Sequence, residues 1–250
     1  MNIEAYLERI NYRGSLFPTA ETLRDLQLAH LAAVPFENLS IHWGEPIVLT
    51  DEALFEKIVK RRRGGFCYEL NGLFAALLRN LGFKVAMLSA GVADDGGVFS
   101  PAFDHMTLLV SLDERWLVDV GFGDTFREPL RLEMGMEQGQ DGRVYRIDAD
   151  GQWWTLMEFK NGGEGRAQYR FDLQSYHFGD YVERCRYHQT SPESHFTQKR
   201  ICSRAIRTGR LTLSGNRFIT ASLNGDRQER VIESEDEVAQ ILEEYFGMVR

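Results

Sequence analysis

The sequence predicts an α+β protein in which a helical first part, a strand-rich middle and a mixed last part follow one another. Apolar residues recur at helical spacing up to about residue 84. From Lys84 to Phe171, short runs of strand character are separated by Asp/Gly turns such as Asp94 to Gly97. The last part combines short extended segments with one capped helix. Together these observations favour a compact β unit of barrel type beside helical parts.

Four helices are expected before residue 84. The first lies near Ile3 to Ile10, and Thr19 and Thr50 are residues of the type that caps the start of a helix. The fourth helix begins at Cys67, and its apolar stripe consists of Leu70, Phe74, Leu77, Leu78 and Leu81.

Six strands are expected in the middle part, and three extended segments and a helix in the last. The six strands are Val85–Val92, His105–Ser111, Arg115–Val120, Val144–Ile147, Trp153–Phe159 and Gln168–Phe171. The three extended segments are Leu211–Leu213, Arg217–Thr220 and Arg230–Ile232. Ser234 followed by Glu237 forms a capping box, so the last helix is expected to begin there.

Composition favours a soluble enzyme. The chain has 250 residues, 43% of them hydrophobic and 26% charged, which is ordinary for a globular protein. A net charge of −8 argues against a nucleic-acid partner, because phosphate binding needs a concentrated basic surface. No apolar stretch reaches membrane-spanning length and the N-terminus is not signal-like, so we expect no membrane association and a cytoplasmic location. Three cysteines without a C-x-x-C pair argue against disulfides and a zinc site, and no metal is expected.

Cys67 occupies a position that favours a reactive thiolate. It directly follows Gly64 to Phe66 at a predicted helix start, where free N–H groups and the helix dipole attract negative charge. Arg61 to Arg63 add positive charge just upstream. For the whole run from Lys60 to Arg63, a solvated helix end and a local field for the thiolate or for anionic CoA are equally good interpretations. The two glycines are expected to leave room for a substrate carbonyl beside the sulfur and the first helical N–H groups.

A cysteine nucleophile needs a base and a group that orients the base. Among six histidines, only His105 opens a strand, and Asp119 lies near the end of the next one. If the hairpin loop has three residues, Thr107 pairs with Asp119, and His105 becomes a diagonal neighbour on the same face at roughly 7–8 Å. A two-residue loop would place His105 and Asp119 on opposite faces. The proposed Cys-His-Asp triad therefore depends on the register of this hairpin.

Three motifs occur in order along the chain, namely Pro35 to Leu39 (PFENL), Arg62 to Cys67 (RRGGFC) and Asp119 to Gly123 (DVGFG). With the strand histidine between the last two, they make this sequence similar to the arylamine N-acetyltransferases. That family transfers an acetyl group from acetyl-CoA to aromatic amines and hydrazines through a Cys-His-Asp triad. The resemblance assigns the triad to Cys67, His105 and Asp119, the same residues that the hairpin argument selects.

The resemblance also implies an architecture. It predicts a helical domain that carries the nucleophile (residues 1–84), a β-barrel domain that supplies His and Asp (85–192), and a C-terminal α/β lid (193–250). The catalytic core would be like that of cysteine proteases. Acetyl-CoA would act as co-substrate.

Binding residues follow from the same resemblance. Phe36, Phe122 and Phe196 match positions where the family places aromatic side chains around the acceptor pocket, and core packing is the alternative interpretation. Ser100, Pro101 and Gly123 would contact CoA.

Two other functions stay open from sequence. The chain ends shortly after the last predicted helix, whereas many members continue further, and this resembles the amide synthases of the same superfamily, which close a macrolactam on a thioester. The shortness leads us to expect little dependence on the nucleotide end of CoA. The second alternative is a protein that binds aromatic amines without catalysis, against which the complete triad argues. The natural amine, the preferred acyl donor and the oligomeric state are not predicted.

Overall fold

The structure is a computed structural model that describes residues 1–160 and 163–248. Its helices are α1 (Ile3–Arg9), α2 (Ala20–Ala33), α3 (Leu39–His42), α4 (Asp51–Phe55), α5 (Cys67–Asn80), α6 (Phe178–Thr190), α7 (His195–Gln198) and α8 (Glu235–Phe246). Its strands are β1 (Phe36–Glu37), β2 (Lys84–Val92), β3 (His105–Ser111), β4 (Arg115–Val118), β5 (Leu130–Arg131), β6 (Glu137–Gln140), β7 (Arg143–Asp150), β8 (Trp153–Lys160), β9 (Arg166–Phe171), β10 (Ile201–Ile206), β11 (Gly209–Ser214), β12 (Arg217–Ser222) and β13 (Arg227–Val231).

The predicted helix starts are confirmed by hydrogen bonds. Thr19 accepts from the N–H of Thr22, and Thr50 accepts from the N–H of Ala53. Each threonine thereby satisfies one of the N–H groups that a helix start leaves without an internal partner. Ser234 caps α8 through the N–H of Glu237 in the same way.

Helix α5 is the centre of the helical part. Every residue from Cys67 to Leu78 is buried, because α1, α4, α6 and the face of β2 and β3 all pack against it. Strand β3 alternates between two cores. Met106, Leu108 and Val110 pack with the helices, whereas Leu109 packs inside the barrel. Docking on this shared strand fixes the nucleophile helix relative to the barrel.

Strands β2 to β9 form an eight-stranded antiparallel sheet in the order β5-β4-β3-β2-β9-β8-β7-β6. It curls into a nearly closed barrel, and the two edge strands are bridged by one side chain. The Gln138 amide accepts from the N–H of Arg131 at 2.8 Å and donates to the carbonyl of Arg131 at 3.0 Å. Side-chain bonds of this kind satisfy edge groups that would otherwise need another strand.

The hairpin of β3 and β4 has the register that the triad requires. Ser111 pairs with Arg115 and Leu108 pairs with Val118, so the loop contains three residues, as predicted. Strand β4 ends at Val118, earlier than the predicted end at Val120, because the next residues turn to bond the side chain of Asn71.

The second sheet joins the first and last parts of the chain. Its order is β1-β10-β11-β12-β13, and Phe36 and Glu37 of β1 pair with Ser203 and Cys202. Helix α8 covers one face of it with Val238, Ile241, Leu242 and Phe246. The PFENL motif therefore contributes a strand to the C-terminal sheet.

Helix α6 was not predicted from the sequence. It lies within the range expected to be barrel, yet its Tyr181 and Cys185 are buried in the helical core. The α+β class, with helical, barrel and α/β parts in that order, is confirmed. The limits at residues 84 and 192 remain predictions.

Candidate active site

Cys67 is the first residue of α5 and is buried. Its neighbour Gly121 is required at that position, since a Cβ there would lie 2.7 Å from the Cα of Cys67 and 2.7 Å from the Asn71 amide nitrogen. The glycine of the DVGFG motif thus lets the barrel segment after β4 approach the start of α5. This contact brings Asp119 and Cys67 into one site.

The two glycines before Cys67 have a different role from the one expected. A Cβ on Gly64 would lie 2.0 Å from the carbonyl oxygen of Pro35, and a Cβ on Gly65 would lie 2.7 Å from the Cβ of Glu69. The space they provide is filled by the protein and is not left for a substrate. They allow the segment before α5 to pack on the PFENL motif, where the N–H of Glu37 donates to the carbonyl of Gly65 at 2.8 Å.

Two arginines of the cationic run before Cys67 form ion pairs within the protein. Arg63 is buried and contacts Glu37 Oε1 through Nη2 at 2.8 Å, while Arg61 contacts Glu45 at 3.0 Å. Glu37 also accepts from the N–H of Leu39 at 2.6 Å. Burial alone would raise the pKa of Glu37, but Lys57, Arg63 and this N–H hold it below its ordinary value. Arg63 therefore binds the PFENL motif, and neither the solvated helix end nor a free positive field describes it.

His105 and Asp119 form a buried pair. His105 Nε2 lies 2.6 Å from Asp119 Oδ2, and both side chains are at most 3% exposed. Asp119 accepts two further hydrogen bonds, from the Asn71 amide at 2.9 Å and from the N–H of Gly121 at 2.8 Å. Burial would raise the pKa of Asp119, but His105 and these donors hold it below its ordinary value. Because an ionised carboxylate only accepts, Nε2 must carry a hydrogen, which leaves Nδ1 free to take a proton.

The role of Asn71 in the site was not predicted from the sequence. It lies one helical turn after Cys67, and its amide also donates to the carbonyl of Met106 at 2.6 Å while its carbonyl accepts from the N–H of Val120 at 2.9 Å. One buried side chain thus ties the nucleophile helix to β3 and to the segment carrying Asp119. A polar residue on the Cys67 face of an otherwise apolar helix was the signal that could have revealed it.

Burial opposes ionisation of the Cys67 thiol. It raises the pKa of the Cys67 thiol well above its ordinary value, the N–H of Met106 lowers it, and the charge of Asp119 raises it further. Burial therefore opposes the thiolate that the helix start and the arginine run are expected to favour, and the thiolate stays a prediction. The cation that can stabilise one is the imidazolium of His105.

A cavity of about 240 Å³ opens beside these residues. Its lining consists of Phe36, Cys67, Val92, Asp104, His105, Gly121, Phe122, His188, His195 and Phe196. The structure thus brings Phe36, Phe122 and Phe196 together with Cys67 and His105. The rings of Phe36 and Phe196 lie 6.1 Å apart, and Phe122 lies edge-on to His105 at 5.1 Å. No sequence motif predicted that His188 and His195 would line this cavity.

The residues expected to contact CoA are not among those that line the cavity. The Ser100 hydroxyl accepts from the N–H of Val92 at 2.8 Å and thereby closes the loop before β3. Pro101 is exposed, and Gly123 has a φ of +97°, a conformation that favours glycine. Their contact with CoA remains a prediction.

Comparisons with known proteins agree with this geometry. A family model described as N-acetyltransferase matches residues 19–249. The arylamine N-acetyltransferase / N-hydroxyarylamine O-acetyltransferase of Salmonella typhimurium is 36% identical, over 98% of this chain and 88% of that protein. The chain belongs to the arylamine N-acetyltransferase family.

Other members show that the similarity extends over the whole fold. Human arylamine N-acetyltransferase 1 is 33% identical over 99% of this chain and 94% of its own length. The Mycobacterium marinum arylamine N-acetyltransferase, solved in complex with CoA, superposes with a TM-score of 0.91 at 35% identity, over 99% of this chain and 93% of that one. These relatives indicate neither of the two alternatives from the sequence, an amide synthase or a non-catalytic binding protein.

Two further findings concern the part of this family member that the structure describes. None of the helices within residues 1–160 and 163–248 combines the length and apolar content needed to cross a bilayer. Over the same residues, no three His, Cys, Asp or Glu side chains are grouped as metal ligands would be.

Proposed function

We propose that this protein transfers the acetyl group of acetyl-CoA to arylamines and hydrazines, in two steps that share Cys67 as the carrier. The observation that supports this most is the His105–Asp119 pair, which is buried beside a cysteine at a helix start in a member of this family. A pocket that only binds amines has no use for such a pair next to a thiol.

In the first step, Cys67 becomes acetylated. Nδ1 of His105 takes the thiol proton, and the sulfur attacks the carbonyl carbon of acetyl-CoA. The N–H groups of Cys67 and Tyr68, at the start of α5, are proposed to stabilise the oxyanion. The C–S bond to CoA then breaks, and the CoA thiolate leaves with the proton that His105 received.

In the second step, the amine takes the acetyl group. Its nitrogen attacks the thioester carbonyl, His105 accepts a proton from that nitrogen, and the bond between the carbonyl carbon and Cys67 breaks. The products are the N-acetylated amine and free enzyme. Asp119 stabilises the imidazolium in both steps, because its carboxylate is fixed on Nε2 by three hydrogen bonds.

The acceptor site is proposed to be the aromatic wall of Phe36, Phe122 and Phe196. Apolar rings around the thioester exclude water, which would otherwise hydrolyse it, and they offer faces on which an aryl ring can stack. Ser100, Pro101 and Gly123 are proposed to contact CoA. The mechanism needs a free thiol, and Cys67, Cys185 and Cys202 are all free cysteines. A reducing compartment such as the cytoplasm therefore suits the protein.

Steady-state kinetics test the two-step scheme. Initial rates measured against acetyl-CoA at several fixed concentrations of a neutral arylamine should give parallel double-reciprocal lines, because CoA leaves before the amine reacts. Intersecting lines, together with no acetylation of the enzyme in the absence of amine, would instead indicate direct transfer and would overturn the proposal.

A further inference from the structure

A second carboxylate and histidine meet on the wall of the cavity. Asp104 directly precedes His105, and its Oδ1 lies 2.9 Å from Nε2 of His188, close enough for an ionic contact although not aligned as a hydrogen bond. Arg184 donates from Nε to the same oxygen at 2.7 Å. Neither Asp104 nor Arg184 has a part in the two-step transfer described above.

Asp104 carries its negative charge under all ordinary conditions. Burial would raise its pKa, but His188, Ser100 and Arg184 hold the pKa of this carboxyl far below its usual range. Its side chain is 15% exposed, so it is only partly screened by water.

The charges around the cavity are unbalanced. Among the cavity-lining residues in the described part of the chain, Asp104 is the only carboxylate, and there is no lysine or arginine. Arg184, which pairs with Asp104, does not line the cavity. The negative member of this ion pair therefore faces whatever binds in the cavity, whereas the positive member is not part of the lining. Once Cys67 is acetylated, the sulfur no longer contributes a negative charge.

We propose that Asp104 is a specificity-determining residue that makes the acceptor site select neutral arylamines over anionic ones such as aminobenzoates. This inference rests on the proposed function and narrows its acceptor class. A carboxylate bound in a small, largely apolar cavity cannot be screened fully from Asp104, and it finds no lysine or arginine to pair with among the described lining residues. The preference arises because Asp104 repels an anionic acceptor at the place where that acceptor would bind.

A matched pair of acceptors measures this selection. 4-Aminobenzamide and 4-aminobenzoate have nearly the same shape, and only the second is anionic. The ratio of their kcat/KM values is measured with saturating acetyl-CoA at a pH of about 8, above the ordinary histidine pKa of about 6.5. The wild-type protein should favour the amide on the order of tenfold, as a partly screened charge pair at close range would give. The amine of the benzoate is intrinsically the better nucleophile, so amine reactivity does not produce this preference.

Two variants should move the ratio in opposite directions. Asp104→Asn should bring it towards one, mainly through the KM of the benzoate, whereas Arg184→Met should raise it because the carboxylate loses its counter-charge. Asp25→Asn removes an equal charge from the exposed side of α2 and should leave the ratio unchanged.

Each outcome has one meaning. A wild-type ratio of one or less, or equal losses for both amines in Asp104→Asn, would overturn the inference while leaving the proposed function intact. If Asp104→Asn does not fold, Arg184→Met decides, and an unchanged or lower ratio there counts against the inference. If acetyl-CoA is present and neither amine is acetylated, the proposed function fails and this inference fails with it.

Discussion

Replacing Asp119 by Asn tests the role of the buried pair. The amide can keep the bonds from Asn71 and Gly121 on its oxygen, so the local packing should survive. Its NH₂ group would then face Nε2 of His105 and donate to it. That contact requires the tautomer with hydrogen on Nδ1, which is the nitrogen that must take the thiol proton. The variant therefore removes the base without removing a side chain.

The size of the effect follows from the burial of the pair. His105 and Asp119 are both almost inaccessible, and removing one partner of such a pair costs about 3–5 kcal/mol. Here the cost falls on the imidazolium, which loses its counter-charge. Since 1.4 kcal/mol corresponds to a factor of ten, the thiolate–imidazolium population should fall by roughly 10² to 10⁴.

Alkylation by iodoacetamide reports this population directly. The wild-type protein should be alkylated at Cys67 at pH values well below 8.5, the approximate pKa of a free thiol. The Asp119→Asn variant should react measurably only at higher pH. Asp124→Asn, which changes an exposed barrel carboxylate five residues further on, should behave like the wild type. An alkylation profile of Asp119→Asn that matches the wild type would remove Asp119 from the mechanism.

Three further predictions concern stability and the acceptor wall. Glu37→Gln should lower the free energy of unfolding by about 3 kcal/mol in urea titrations, because Arg63 stays buried with only the partly exposed Glu45 as a counter-charge. Burial lowers the pKa of His30 to about 3. Because the unfolded chain then binds a proton that the folded protein does not, stability should fall by about 2 kcal/mol from pH 7 to pH 5, and less in His30→Gln. Phe122→Ala should weaken the preference for an arylamine over an alkylamine of equal basicity by about 1–3 kcal/mol in kcat/KM.

Each of these has a matched control and a contrary result. Glu56→Gln breaks an exposed ion pair with Lys60 and should change stability by less than about 1 kcal/mol, and an equally small effect of Glu37→Gln would contradict the structural role of that carboxylate. Identical pH slopes in His30→Gln and the wild type would exclude His30 as their source. Phe17→Ala, at an exposed site, should not alter amine preference; equal losses for both amines in Phe122→Ala would make Phe122 a packing residue.

Local sequence signals predicted much of the fold. Thr19, Thr50 and Ser234 are caps whose hydrogen bonds lie within three residues, so the helix starts could be inferred from neighbours in the chain. The hairpin of β3 and β4 is equally local, and its loop length was enough to place His105 and Asp119 on one face. These features depend on few residues that are close in sequence.

Features that depend on distant partners were not predicted. Strand β1 has two residues, and its strand partner β10 lies more than 160 residues later in the chain. Arg63 looked like a free charge because its partner Glu37 is 26 residues away. Helix α6 is mostly polar, and its buried residues Tyr181, Cys185 and His188 find their apolar surroundings only in the folded protein.

The same reason explains why the charge state of the Cys67 thiol cannot be inferred from the helix start alone. A helix start lowers a cysteine pKa by local electrostatics, and this is visible in sequence. Burial opposes it, and the burial of Cys67 results from the approach of Gly121 and the barrel. The net charge state therefore depends on tertiary contacts, as does the position of Asp104 and His188 on the cavity wall.

The central claim is that Cys67 carries the acetyl group, and intact-mass measurement after brief incubation with acetyl-CoA and no amine tests it most directly. The wild-type protein and Cys185→Ala should each gain one acetyl group, which peptide mapping places on Cys67 and which a neutral arylamine then removes. Cys67→Ala should gain none. An unmodified wild-type protein that nevertheless acetylates the amine, or an adduct on Cys185 or Cys202, would contradict the account.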